Sequence, residues 1–165
     1  METIYCEGIN EIKKEKKFLE KALNIKIKIN SKKITVEGEP TNEYAAEFVI
    51  DAINLGFSAR IASLLADENY VFEKINIKDF TRRKNFELIR GRIIGTKGKT
   101  KKTIEELSGC KIKIKGNNVG IIGPAENITH IITGATSIIR GTKQKNVYKF
   151  LERINTKRKI KKQIN

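Results

Sequence analysis

Apolar residues along this chain follow two spacings, and the switches between them outline the elements. Ile25, Ile27 and Ile29 alternate with Lys26 and Lys28, and Cys110, Ile112 and Ile114 alternate with Lys111 and Lys113. A period of two puts each set on one face of a strand. Residues 34–37 and 119–122 read as the returning strands, the latter after a Gly116-Asn117-Asn118 turn able to adopt positive φ. Helical spacing marks residues 11–23 (Ile12, Leu19, Ala22, Leu23), with Asn24 suited to a left-handed cap. Pro40 opens a helix with Ala45, Ala46, Val49, Ile50 and Ile53 as its stripe and Gly56 at its end. Pro124 opens another, with Ile128, Ile131, Ile132, Ala135, Ile138 and Ile139. Helices are also expected over 57–66, 82–94, 99–107 and 146–162, and strands over 3–6 and 70–77.

These elements form one unit written twice. An ungapped offset of 85 residues gives 11 identities in the 41 positions from Lys16 to Gly56. Among the pairs are Lys16-Lys17 with Lys101-Lys102, Glu20 with Glu105, Gly38 with Gly123, Asn42 with Asn127 and Gly56 with Gly141. The fold class is therefore α+β: two tandem units, each a three-stranded antiparallel sheet packed on helices. The boundaries are 1–69, including the 57–66 linker helix, and 70–165, with the break at Asp67-Glu68-Asn69. The copies differ at one place. Where the second has Gly95-Thr96-Lys97-Gly98, the first has Asn10-Glu11-Ile12-Lys13, and it lacks room for a helix like 82–94 ahead of them.

Charge follows this difference. The chain carries a net +15. Residues 1–69 hold 10 Lys+Arg against 12 Asp+Glu, whereas 70–165 hold 24 against 7. A surplus of this size points to a polyanionic partner. The 95–98 turn sits inside that surplus, between an apolar helix and a basic one. Its glycines allow close backbone approach, and the following helix start favours an anion.

Other chemistry fits poorly. A nucleotide-binding phosphate loop needs a glycine where Ile93 stands and a strand directly before the loop. A dinucleotide fingerprint lacks its first glycine. Cys6 and Cys110 are isolated and His130 is the single histidine, so no metal site or cofactor is expected. His130 reads as structural or surface, and Glu105-Glu106 as ion-paired among lysines. There is neither a membrane-length apolar run nor a secretory signal, so a reduced, cytoplasmic, non-catalytic protein is expected. An RNA-processing enzyme lacks a carboxylate cluster or a His-based acid–base pair.

The order helix, GxxG, helix, strand, turn, strand, helix resembles the type I KH module, with Arg92-Ile93-Ile94-Gly95-Thr96-Lys97-Gly98-Lys99 resembling its signature. More narrowly, residues 91–100, Thr103-Ile104-Glu105-Glu106-Leu107 and Val147-Tyr148-Lys149-Phe150-Leu151-Glu152-Arg153 resemble archaeal members of the Partner-of-Nob-One family, two-KH factors of small-ribosomal-subunit assembly. The resemblance implies binding of single-stranded RNA in the 3′ region of small-subunit ribosomal RNA. It also implies partnership with the endonuclease that matures this end and with the pre-ribosomal particle. By motif match, Gly95, Thr96, Lys97 and Gly98 would clamp the backbone. Arg92, Lys99, Thr100 and Lys101 would flank it, and Ile93, Ile94, Ile112 and Lys113 would line the base groove. The first unit is a degenerate KH copy suited to packing, a minor RNA contact or protein docking. The runner-up is a general RNA-binding adaptor of an RNA-degrading or transcription complex.

Overall fold

The alternating Ile/Lys segments form strands whose isoleucines face a helical layer, and they do so once in each half of the chain. A computed structural model describes residues 1–165. Its two compact units are Met1–Phe72 and Glu73–Asn165. No helix is long and apolar enough to cross a membrane.

In the first unit, β1 (Glu2–Tyr5) is followed by α1 (Ile9–Lys14), α2 (Lys16–Leu23), β2 (Ile25–Asn30) and β3 (Lys33–Gly38). Then come α3 (Pro40–Leu55), α4 (Ala59–Ala62) and a 3-10 segment, Ser63–Ala66. The sheet order is β1-β3-β2, all antiparallel, with Ile27 opposite Val36 and Ile29 opposite Ile34. Ile25, Ile27, Ile34 and Val36 are buried, as are Ile12, Leu19, Leu23, Ala46, Val49, Ile50 and Ile53 from the helices. Asn24 takes the left-handed conformation (φ 52°, ψ 54°) and ends α2.

Two expectations for this unit are corrected. The helix over 11–23 is two helices, broken at Glu15 (φ −106°, ψ 18°). As expected, only a strand precedes residue 9, and α1 occupies the positions equivalent to the second copy's 95–98 turn. The chain ahead of α1 is tied down. Asn54 Oδ1 accepts from Cys6 Sγ (3.0 Å) and from the backbone N–H groups of Glu7 (3.0 Å) and Gly8 (3.2 Å). The linker over 57–66 likewise divides into α4 and the 3-10 segment, with the Ser58 side chain accepting the Ile61 N–H at the start of α4.

The second unit is built on β4 (Tyr70–Asn76), which it takes up from Glu73, and on α5 (Phe86–Ile94), α6 (Lys99–Ser108), β5 (Lys111–Lys115), β6 (Asn118–Pro124), α7 (Ala125–Arg140) and α8 (Gln144–Ile164). Its sheet order is β4-β6-β5, the same central-strand arrangement. Ile112 lies opposite Ile121 and Ile114 opposite Val119. The helix α5 starts four residues later than its apolar spacing suggests. Asn85 caps it by accepting the Leu88 N–H (3.1 Å), and a local side-chain cap outweighs a weakly periodic extension. Ile89, Ile93, Ile104, Ile131, Ile138, Ile139, Val147 and Leu151 form the helical core. Burial of about eight such side chains, each stabilising by roughly 1.5–3 kcal/mol, anchors the turn between α5 and α6.

Candidate nucleic-acid interface

The α5–α6 connection is a strained, tightly hydrogen-bonded turn. Gly95 (φ 78°, ψ 171°) ends α5, its N–H donating to the Gly91 carbonyl (2.8 Å). Thr96 and Lys97 follow, and the Gly98 N–H donates to the Gly95 carbonyl (3.1 Å). Lys97, at the tip, holds φ 55°, a left-handed conformation that costs a lysine roughly 1 kcal/mol. Gly98 (φ 76°, ψ 11°) then starts α6.

The two glycines serve different needs. A side chain at Gly95 would overlap the Thr100 hydroxyl and backbone, so Gly95 is there for internal packing. Around Gly98 a Cβ would meet nothing within 4 Å. Its bareness leaves the backbone open from outside, at the N-terminus of a ten-residue helix with no side-chain cap. Uncapped N–H groups and the positive dipole end suit a phosphate there.

The candidate side chains separate into three groups. Ile94 (37% exposed), Thr96, Lys97 and Lys99 present accessible surface around the turn, as does Lys113 on β5. Ile93, Ile112 and Thr100 are buried (0%, 2% and 5% exposed). They lie beneath the candidate site with almost no surface to give a base, which leaves Ile94 and Lys113 of the expected groove lining accessible, with the half-buried Ile114 next to Lys113 on β5. Arg92 and Lys101 already have partners. The Arg92 guanidinium donates to the carbonyls of Ile138 (3.2 Å) and Thr142 (2.9 Å), a cation at the negative end of α7. Gln144 of α8 in turn donates to the Arg92 carbonyl (3.4 Å). Lys101 pairs with Glu105 (3.1 Å).

Glu105 is the joint between the turn's helix and the sheet edge. It accepts the Ile112 N–H (3.4 Å) and lies 3.8 Å from Lys111 Nζ. The expected ion pairing of this residue is what the structure shows. His130 sits edge-on to Phe150, with centroids 6.4 Å apart.

Arg90 had a signal in the sequence that motif matching passed over: it is a cation within the apolar spacing of α5. It donates to Asn117 Oδ1 (2.9 Å) and the Gly116 carbonyl (3.4 Å), tying α5 to the β5–β6 turn. Gln144 was also missed. With Leu88, Gly91, Gly95 and Lys99 it lines a cleft of about 640 Å³ beside the turn. Nothing in the spacing of residues 144–162 places the start of α8 there.

Comparison with known proteins agrees with this geometry. Residues 71–156 match the family model of the second KH domain of PNO1, described as the eukaryotic type KH-domain (KH-domain type I). The chain is 34% identical over 145 residues to the KH domain-containing protein MJ0443 of Methanocaldococcus jannaschii, covering 84% of this chain and 64% of that protein. It is 32% identical over 149 residues to the pre-rRNA-processing protein PNO1 of Chaetomium thermophilum, covering 86% of this chain and 56% of the relative. Among solved structures it resembles a chain of the a/eIF2alpha–aDim2p–rRNA complex from Pyrococcus horikoshii OT3. That match has a TM-score of 0.82 and 30% identity over 94% of each chain. With its doubled α+β unit and its intact GxxG turn, the chain belongs to the PNO1/Dim2 family of KH proteins.

Proposed function

We propose that this protein holds single-stranded RNA by the 95–98 turn, and that its target is the 3′ region of small-subunit ribosomal RNA during subunit maturation. The observation that carries the reading is the open backbone at Gly98, at the uncapped start of a basic helix. Phosphates approach that backbone, while unstacked bases lie toward Ile94, Lys113 and Ile114. Bases in single strands reach such a groove at the lowest unstacking cost. A pre-rRNA-processing relative and a neighbour solved in an rRNA complex support ribosomal RNA over other RNA. The protein acts by binding, in the cytoplasm, and brings the 3′ end to partners: the maturing endonuclease and an initiation-factor α subunit of the kind in the neighbouring complex.

The Gly98→Asp variant tests the clamp. The added carboxylate enters open space, so the fold tolerates it, and aspartate accepts positive φ better than most residues. RNA affinity falls on the order of 100-fold, about 2.7 kcal/mol, with Tm shifted by only a few degrees. Undiminished binding to 3′-terminal rRNA oligonucleotides overturns the clamp. Equal affinity for unrelated single strands favours the general adaptor.

A further inference from the structure

The turn accounts for little of the second unit's charge, and much of the remainder lies on α8. Five cations there repeat at a strict interval of four: Lys145, Lys149, Arg153, Lys157 and Lys161. All five are exposed, and α8 contains a single carboxylate, Glu152. The lysines paired in this unit's ion pairs with Glu105 are Lys101 and Lys111, and none of the five has a carboxylate partner.

Like charges at i, i+4 destabilise a helix, so an uncompensated row of five works against α8 unless something anionic lies along it. Its geometry fits a polyanion better than isolated ions. Each four-residue step rises by about 6 Å, comparable with the step between successive phosphates in a nucleic-acid strand, and turns by about 40°, so the row is a ridge that winds round α8. The row also begins beside the clamp, because Gln144 at the head of α8 touches the Arg92 carbonyl and borders the cleft shared with Gly95 and Lys99. From there α8 packs against α6 and α7, burying Leu151 and, beside Gly134 of α7, Val147, and its last turns stand free of the core. A second shallow cleft, about 770 Å³, follows the row, with Asn146 and Thr156 adding hydrogen-bonding groups among Lys149, Arg153 and Lys157, three cations against the one carboxylate, Glu152, that also lines it.

We infer that α8 is a second RNA-binding surface, a backbone track that continues the strand held at the 95–98 turn by several nucleotides. The inference rests on the clamp reading and extends it. The track contacts phosphates and not bases, so it adds length and salt dependence without adding sequence preference.

Two single-stranded RNAs separate the surfaces: one of about four nucleotides, enough for a GxxG clamp, and one of about twelve that contains it. Affinity is measured by anisotropy across a salt series. The wild-type protein binds the long RNA with a steeper log–log salt slope than the short one. The variant K149Q/R153Q/K157Q keeps good helix formers at exposed positions and binds the short RNA as wild type does. On the long RNA its slope is shallower by about 2, near 0.7 for each of three lost phosphate contacts. Affinity for the long RNA falls by about tenfold or more at moderate salt.

Equal wild-type slopes on the two RNAs overturn the track without involving any variant. So does a variant whose long-RNA binding is unchanged, including one that instead loses association with a protein partner. Failure of the wild type to bind either RNA overturns the clamp reading itself. Loss of only the length-dependent component overturns neither.

Discussion

Two copies of one design stand in this chain, and residue 12 of the first corresponds to residue 97 of the second. Ile12 is fully buried within α1, whereas Lys97 is exposed at the tip of a strained turn. The neighbours differ in the same sense. Glu11 Oε1 accepts the Ala59 N–H (2.9 Å), and Glu15 lies 3.6 Å from Arg60. The first copy thus spends this region on its own folding and lines it with carboxylates, which repel phosphate. The second leaves it bare and basic. Everything around the region is kept. Lys16–Glu20 (3.9 Å) recurs as Lys101–Glu105 (3.1 Å). Glu20 accepts the Ile27 N–H (2.9 Å) as Glu105 accepts that of Ile112 (3.4 Å). Gly56 and Gly141 end α3 and α7 with φ 118° and 111°. The comparison teaches that a shared scaffold tolerates either use of the loop, and that the scaffold alone does not make a binding site.

The strongest way to break the comparison is to exchange the two residues. Ile12→Lys places a charge in the first unit's core and costs about 4 kcal/mol or more, read as a large loss of stability in denaturant titration. Lys97→Ile puts a β-branched residue at positive φ and costs about 1–2 kcal/mol, well below the cost of Ile12→Lys, and it lowers RNA affinity several-fold. If the two substitutions cost similar stability, the assignment of the loops to packing and to binding is wrong.

Next in size is the pair Gly38 and Gly123. Cβ atoms at these positions would press on Ile25 and Cys110, which are themselves equivalent across the repeat. Gly38→Val and Gly123→Val should each destabilise by about 1–3 kcal/mol, measured by thermal melts. A large effect in only one unit would show that the close approach is no longer shared.

A smaller effect separates scaffold from site within one residue. Glu20→Gln and Glu105→Gln keep an acceptor for the strand N–H, so each costs about 1 kcal/mol or less. Only the second frees Lys101 and Lys111, and RNA affinity rises about twofold there by anisotropy. Smallest is the thiol signal. Burial raises the Cys110 thiol above its usual range, and burial also raises Cys6. Fewer thiolates form, so both cysteines react with alkylating reagents at the rate of opening. A fast-reacting Cys110 in the native protein would contradict the packing beside Gly123.

Much of this was legible in the sequence, for identifiable reasons. Strand faces followed from the Ile/Lys alternation, because period two leaves one reading. Helix ends followed from Asn24 and Gly56, because left-handed caps are chemically restricted. Duplication followed from the aligned glycines. What spacing could not give was competition for side chains. The late start of α5 arises from the Asn85 cap, and the break at Glu15 leaves no mark in the apolar spacing of residues 11–23. Arg92 looked free because its acceptors, Ile138 and Thr142, lie about fifty residues away in sequence. Ile93 and Ile112 fit the motif, yet their burial depends on how three helices meet the sheet.

The bonds from Arg92 also settle how force would pass through the protein. They join the residue just ahead of the turn to the end of α7, while the Arg92 carbonyl is held by the head of α8. On the proposed clamp reading, a strand pulled from the turn loads three helices at once. Under that tension the turn would be a mooring point fixed to the body of its unit, and the strand would be unseated before its holder unravelled.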